Sequence, residues 1–560
     1  MHVVLVNPTN PDLSYYYKGQ PLGLAYLAAV IEKQGYPVDI VDANLYDLNT
    51  DNTVTKILEL IDADEGIVGF TTYLYGFDWV ARTAGAVKEA RPDLRTLIGG
   101  HHATAMPREI LSECPQFDFL IRGEGEFPMI ELLDAVSHDL DFDQILGLGY
   151  KTTDGYEVNS MRDLIDDLDS LPFPARHKLP PVTEYAERAG IRTVLGQMIT
   201  SRGCPFQCTF CDIQTFYKLS KGKLWRTRSP RLVVDEVEQL IRLGAERIVF
   251  NDDTFTINRE HPQGIAEELI RRSIGIPWEC ETRAELIIRF KDLLPLFKKS
   301  GCRAILIGAE SGSEEQLRRY QKGTTVEQNS LAIRLIREAG IDVVCGFILF
   351  DPFVSLGELE ENSRFLIEND MWYAEVFNHL VPLPNTPVYY QLLEKGIITP
   401  DVYGKDLVNI NPQKYFQNDQ LKTFYTRIQD WRAEVWPLAG LTNRLAALIS
   451  RVTAYNKTHD TLQKSMMERI ARIRSEHWSA RELGRNVLSM FNDIVSKSLA
   501  DFNADLQPII GQYTLSLRDR RVNLHHAYEE LKSICQANRV PIFDTRQTSS
   551  NALRDLAIAE

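Results

Sequence analysis

Apolar and polar positions along residues 1–150 fall into short buried runs separated by amphipathic stretches. Residues 2–7 form an apolar run stopped by Pro8. Over 22–34, Leu24, Leu27, Ala28 and Ile31 share one helical face before Gly35 closes the segment. A second strand is predicted at 38–41, ending at Asp42, and a polar helix follows. The alternation continues through strand 66–72, helix 79–90, strand 96–98, helix 107–113, strand 117–121 and helix 129–137. Five β-α units at this spacing predict a parallel, doubly wound (Rossmann-like) α/β sheet. Such sheets bind ligands at the carboxyl ends of their strands. Those ends carry Asn7-Pro8, Thr71-Thr72-Tyr73, Gly99-Gly100-His101-His102 and Arg122-Gly123-Glu124-Gly125-Glu126. Glycines and small hydroxyl residues there let a ligand approach the backbone.

Residues 151–190 read as a connector, because 166–178 combines acidic residues with closely spaced prolines that favour extended chain. The β-α alternation resumes over 191–400, with strands at 193–199, 247–250, 278–280, 304–307 and 342–349, and predicts a partial or full β/α barrel. Beyond that, 401–560 reads as a helical C-terminal domain. Between 415 and 500 there are one proline and two glycines, and Leu441, Leu445, Leu448, Ile449 and Val452 form a helical stripe. The last segment, 547–560, reads as loosely held.

Composition bounds the class. At 560 residues, with 44% hydrophobic and 25% charged positions, the chain is a multidomain globular protein, not a disordered or fibrous one. No apolar run is long enough for a membrane span, and the N-terminus enters its first strand without a basic leader, so no signal peptide is expected. A net charge of −15 argues against general nucleic-acid binding. Eight cysteines are too few for a disulfide scaffold, and a cytoplasmic, reducing setting is expected.

Three of the eight are clustered. Ser201-Arg202-Gly203-Cys204-Pro205-Phe206-Gln207-Cys208-Thr209-Phe210-Cys211 places thiols at C-x3-C-x2-C directly after a predicted strand. A structural zinc site wants four ligands in paired elements, and no second pair exists. Disulfides would leave one thiol over. An iron–sulfur cube with three cysteine ligands leaves one iron open for a substrate or cofactor. The spacing favours the cube, with zinc or chance as alternatives.

This spacing, with an aromatic residue before the third cysteine and a place after the first strand of a barrel, resembles the signature of radical S-adenosylmethionine (SAM) enzymes. The resemblance implies that Cys204, Cys208 and Cys211 hold a [4Fe-4S] cluster whose open iron chelates SAM, and that one electron cleaves SAM to methionine and a 5′-deoxyadenosyl radical. It places Phe210 near the adenine, Asp252-Asp253 at the SAM amine, Arg283 (in Glu281-Thr282-Arg283-Ala284) on SAM, and Glu310 (in Gly308-Ala309-Glu310-Ser311-Gly312) at the next polar strand end. The family's usual Gly-Gly-Glu is absent, and Asp252-Asp253 stands in its place. The first domain resembles the cobalamin-binding type. That implies a cobalamin (B12) site at Asn7, Thr71, Thr72, Tyr73, Tyr75, Gly99, Gly100, His101, Gly123, Glu124, Gly125 and Glu126. The Asp-x-His-x-x-Gly segment that displaces cobalamin's lower base is missing after the first strand. Tyr73 and Tyr75 are placed to lie under the corrin ring.

The activity implied is cobalamin-dependent radical SAM chemistry on an unactivated carbon, with methyl transfer as the leading expectation. Cyclisation, rearrangement or oxidation without methyl transfer is one alternative. A radical SAM dehydratase with a degenerate cobalamin domain is another. The sequence singles out no catalytic acid or base. The partners expected are a small-molecule, lipid or peptide substrate and an electron donor such as a flavodoxin or ferredoxin.

Overall fold

A computed structural model describes residues 1–9, 18–61, 65–189, 191, 193–371, 379–404, 412–428, 468, 480–500, 508, 525–530 and 532–533. Seven strands form the first sheet: β1 His2–Asn7, β2 Val38–Asp42, β3 Gly66–Thr71, β4 Arg95–Gly99, β5 Phe119–Ile121, β6 Leu148–Thr152 and β7 Gly155–Val158. Their spatial order is β2-β1-β3-β4-β5-β6-β7. The first five are parallel, and β6 and β7 run antiparallel.

Strand β1 shows why the sheet is covered on both faces. Val3 and Leu5 join one core cluster, under the helices Leu22–Lys33 and Glu126–His138. Val4 and Val6 join the other, under Thr50–Leu60, Phe77–Ala90 and Pro107–Glu113. Alternate residues of one strand thus feed two separate cores, which requires apolar side chains at every position. The chain order reverses between β1 and β3, and that crevice opens at the carboxyl ends of the strands.

The doubly wound domain is present as expected, but its sheet runs on to Val158, into the stretch read as a connector. Strands β6 and β7 are only partly buried, so they lack the continuous buried run that marks β1, β3 and β5. The same stretch also contains the helix Val182–Ala189, whose Tyr185 hydroxyl donates to Asp42 Oδ2 at 2.5 Å.

The second sheet has five strands in consecutive order, all parallel: β8 Leu195–Met198, β9 Arg247–Phe250, β10 Trp278–Thr282, β11 Cys302–Glu310 and β12 Asp342–Phe347. A parallel bridge from Phe350 to His379 extends the curve beyond β12. Consecutive parallel order with intervening helices is the layout of a partial β/α barrel. Two of those helices, Val326–Glu338 and Leu356–Glu368, begin at capping boxes on Thr325 and Ser355. Phe250, Phe255, Trp278 and Phe297 pack as a chain of rings in the core, with centroids 5.1 to 5.9 Å apart.

The described part of the C-terminal region is helical. Helix Ala480–Ala500 lays Met490, Phe491, Ile494 and Val495 against the barrel core, and Ser363 Oγ donates to Asn492 Oδ1 at 2.7 Å. The leucine stripe at 441–452 and the segment 547–560 lie outside the described residues. Among the described residues no helix is long and apolar enough to cross a membrane.

Among the described residues, two of the contacts between the first domain and the rest lie away from the cysteine loop. At one, Glu236 of the barrel is fully buried between Arg176 Nη2 at 2.7 Å and Arg228 Nη1 at 3.4 Å, while Arg176 Nη1 also donates to Gln20 Oε1 at 2.6 Å. At the other, the segment after the barrel returns to the first domain. His102 Nε2 bonds the Val402 carbonyl at 2.7 Å, and the Tyr403 ring sits 5.4 Å from Phe77. Replacing Glu236 by Ala leaves two buried guanidinium groups without their carboxylate. The expected destabilisation is about 3–5 kcal/mol, read as a lowered urea midpoint, with a smaller loss for Glu236→Gln.

Candidate active site at the domain junction

The cysteines occupy an irregular loop after β8. Ser201–Arg202 first pairs antiparallel with Arg226–Thr227. Gly203 then turns with φ +87°, and a Cβ there would lie 1.8 Å from the Leu224 carbonyl oxygen, so only glycine fits. Its N–H donates to Asp253 Oδ2 at 2.8 Å. Further on, Thr209 N–H donates to the Tyr320 carbonyl at 2.9 Å, and Val388 N–H donates to the Thr209 carbonyl at 3.1 Å. Three separate parts of the barrel therefore hold one loop, which ends at Cys211, the residue that starts the helix Asp212–Lys218.

All three thiols are free. Cys204 Sγ lies 3.5 Å from Thr254 Oγ1, and Arg283 Nη1 points at Cys208 Sγ from 3.3 Å. Burial pushes the Cys204 thiol up, and burial with the neighbouring Asp212 pushes Cys211 up to about 12. A bound metal centre must displace these protons, and a positive guanidinium beside sulfur favours that loss. Among the described residues no three His, Cys, Asp or Glu side chains are disposed to hold a single metal ion.

The residues expected at SAM gather around this loop, with one exception. Phe210 meets the Tyr320 ring edge-on at 5.3 Å. The Arg283 guanidinium lies 3.8 Å from the centre of the Phe206 ring and also bonds Glu285 and the Lys322 carbonyl. Lys322 Nζ in turn donates to Glu310 Oε1 at 2.9 Å. Glu310 has φ +62°, in the left-handed region that a non-glycine residue rarely adopts, at the bulged end of β11. Asp253 lines the cleft. Asp252 is turned the other way and is buried. Its Oδ1 accepts from Thr200 N–H at 2.9 Å, from Ser201 Oγ at 2.7 Å and from the Ser201 N–H, and burial raises its carboxyl to about 7.

A cavity of about 510 Å³ is lined from both domains, on the barrel side by Ser201, Arg202 and Ile213, which flank the loop. Thr71, Tyr73, Gly99, Gly100, His101 and the 123–126 loop contribute from the first domain. Asn7 edges it too, with its amide donating to Asp42 Oδ1 at 2.7 Å. Thr72 is buried beneath, with its hydroxyl on the Tyr73 carbonyl at 2.6 Å, and Tyr75 is not among the lining residues. Gly100 is required by the backbone, since a Cβ would lie 2.7 Å from the Thr72 carbonyl at φ +99°. Gly99 is different. A Cβ there would meet no protein atom closer than 3.6 Å, so the bare strand end faces the cavity. An open glycine surface beside an exposed tyrosine ring suits a large flat ligand with a tail along the backbone.

The Glu124 and Glu126 carboxylates are already engaged. Arg202 forks between them at 3.0 and 2.6 Å, and Arg226 Nη1 reaches Glu124 at 2.7 Å. Burial opposes the charge on Arg202, but Glu126 and Glu124 hold it well above its usual range. From the barrel side, Ile213, Phe216 and Tyr217 line the same cavity from one face of the helix after Cys211. Sequence reasoning missed Arg202 and this helix face. The three apolar positions at offsets 3 and 4 were the signal for the helix face.

The comparisons with known proteins agree with this architecture. Residues 198–366 match the radical SAM superfamily, and residues 12–133 match the B12 binding domain. An uncharacterised methyltransferase of Pyrococcus horikoshii, PH0819, is 31% identical over 72% of this chain and 85% of its own. The anaerobic magnesium-protoporphyrin IX monomethyl ester cyclase of Rubrivivax gelatinosus is 31% identical over 75% of this chain and 78% of its own. Among solved structures, the cobalamin-dependent SAM radical enzyme OxsB with aqua-cobalamin and SAM bound superposes with a TM-score of 0.68. It covers 99% of this chain and 83% of that one, at 18% identity.

Asp252 keeps its proton in the fold up to about pH 7, whereas in the unfolded chain it loses it near 3.8. Its contribution to stability therefore weakens as pH rises between those values. Asp252→Asn has no such proton. Urea melts across this range are expected to show the variant gaining on the wild type by on the order of 4 kcal/mol with rising pH.

Proposed function

The chain belongs to the radical SAM superfamily, in the branch that carries a B12-binding domain ahead of the barrel, and from that membership we propose that it is a cobalamin-dependent radical SAM enzyme that methylates an unactivated carbon. The observation that carries this reading is one cleft lined both by the glycine-bearing strand ends of the first domain and by Ser201, Arg202 and Ile213, which flank the three-cysteine loop. When bound, a [4Fe-4S] cluster with SAM supplies a carbon-centred radical, and cobalamin carries the methyl group.

The chain's own residues divide the remaining work. Cys204, Cys208 and Cys211 would hold the cluster. The Arg283 N–H that points at Cys208 Sγ from 3.3 Å stabilises negative charge on sulfur. Asp253 and Glu310 offer carboxylates to the amino end of SAM, Arg283 pairs its carboxylate end, and Phe210 flanks the adenine. Asp252 supports from behind, by bonding the strand that leads into the loop. In the first domain, Gly99, Gly100, Gly123 and Gly125 let the cofactor tail lie against the backbone, with Thr71 and Asn7 at its edge. Tyr73, 60% exposed, would offer its ring to the macrocycle. Glu124 and Glu126 act through Arg202, by fixing the loop that carries the glycines. Ile213 and Phe216 keep water from the reacting carbon. A flavodoxin or ferredoxin serves as electron donor, and the substrate is a small molecule, lipid or peptide.

The name of the Rubrivivax relative supports a second reading, in which the same cofactors close or oxidise a ring without methyl transfer. Anaerobically reconstituted protein separates the two. A methylated product with S-adenosylhomocysteine supports the first. 5′-Deoxyadenosine with an unmethylated product supports the second. Cys204→Ala, Cys208→Ala and Cys211→Ala are each expected to reduce deoxyadenosine formation to background. Retained cleavage would overturn the cluster assignment, and failure to take up hydroxocobalamin would overturn the cobalamin assignment.

A further inference from the structure

His101 stands where the two halves of the cleft touch. It begins the short helix His101–Ala105 after β4, so its backbone belongs to the glycine turn of the first domain. Its side chain belongs to the other half. Nδ1 bonds Asp212 Oδ2 at 2.9 Å, and Asp212 is covalently next to Cys211. The imidazole stacks on two aromatic rings. Tyr73 of the first domain lies 5.1 Å away at 23°, and Phe216 of the barrel helix lies 4.5 Å away at 18°. The ring is stacked on two aromatic neighbours and anchored at Nδ1. Its partners suit it to transmit position.

We propose that His101 is a positioning residue that couples the two cofactor half-sites: through the Asp212 hydrogen bond it ties the glycine turn to the third cysteine, so that filling the cysteine loop tightens cobalamin binding in the first domain. Assembly of a cluster fixes Cys211, and with it Asp212 at the start of the helix. The Asp212–His101 bond then fixes the turn at Gly99 and Gly100, and the Tyr73 ring that stacks on His101. A ligand resting on that turn and ring no longer bears the ordering cost alone, which is positive coupling between two sites. By reciprocity, cobalamin should stabilise the loaded cysteine loop by the same factor.

This rests on the two-cofactor reading above. The test measures the affinity for hydroxocobalamin by equilibrium dialysis, with and without a reconstituted cluster, in the full-length protein. The wild type is expected to bind at least about 5-fold tighter with the cluster in place. His101→Phe keeps a stacked ring and loses the bond, and Asp212→Asn weakens the charge-assisted bond from the other side. In His101→Phe the ratio should fall to about 1, and in Asp212→Asn it should fall well below the wild-type value. His101→Asn, which returns an N–H donor near the place of Nδ1, should restore most of the ratio. Iron and sulfide content and thermal unfolding serve as controls for folding, and Asp212→Asn supplies the reading if His101→Phe does not fold. A wild-type ratio of 1, or a wild-type ratio retained in both His101→Phe and Asp212→Asn, overturns the proposal. No hydroxocobalamin binding in either state overturns the two-cofactor reading itself, and the proposal with it.

Discussion

Arg202 crosses the domain junction with two hydrogen bonds, to Glu124 at 3.0 Å and to Glu126 at 2.6 Å, two residues before the first cysteine. All three side chains are nearly out of water, at 12%, 6% and 5% exposure. Taking such charges from water costs several kcal/mol per ion, and a well-made fork roughly offsets that cost. The fork therefore contributes little net stability, but any other docking of the domains would leave charges buried and unpaired. It thereby sets where the glycine loop after β5 stands relative to the cysteine loop after β8. Arg226 reinforces the arrangement from the paired strand, and the Tyr26 ring lies 5.3 Å from the Arg202 guanidinium. The cleft takes its shape from this contact.

The cysteine loop has no regular structure of its own, so its geometry is borrowed. Gly203 leans on Asp253, Thr209 is bonded on both sides by backbone from residues 320 and 388, and Cys208 meets Arg283. Backbone bonds to rigid elements fix a loop more tightly than side-chain packing alone, and a site that must hold a reactive species benefits from that rigidity. The left-handed backbone at Glu310 fits the same picture. It aims a carboxylate at Lys322 from the end of a strand, and the surrounding bonds hold it there.

What was legible in the sequence follows from the range of each interaction. Strands β1, β3 and β5 announced themselves because both faces are buried along consecutive, mostly apolar positions. The hairpin of β6 and β7 did not, because a half-exposed edge carries a weak pattern. The cysteine spacing is local and was readable at once. The fork between Arg202 and the two glutamates joins residues 78 and 76 positions apart, and no local pattern marks it. Neighbours in the chain also diverge in ways that periodicity does not reveal. Asp252 is spent inside the barrel while Asp253 lines the cleft. His101 faces the barrel helix, whereas burial drives the charge off His102, whose pKa falls to about 4, and it bonds Val402.

That bond from His102 to Val402 joins residues 300 positions apart. The Tyr403 ring beside Phe77 and the Asn385 amide on the Ala105 carbonyl at 2.9 Å belong to the same seam. On the ribosome the first domain emerges complete in its own strands, yet one side of its core stays open until the chain beyond the barrel is made. At about 5–20 residues per second that interval is roughly 12–50 s. For that time Phe77, Cys114 and the glycine turn lack their covering segment. The flank of the glycine turn is thus covered last, although the strands that form it are synthesised first. By the time that cover arrives, the cysteine loop already exists.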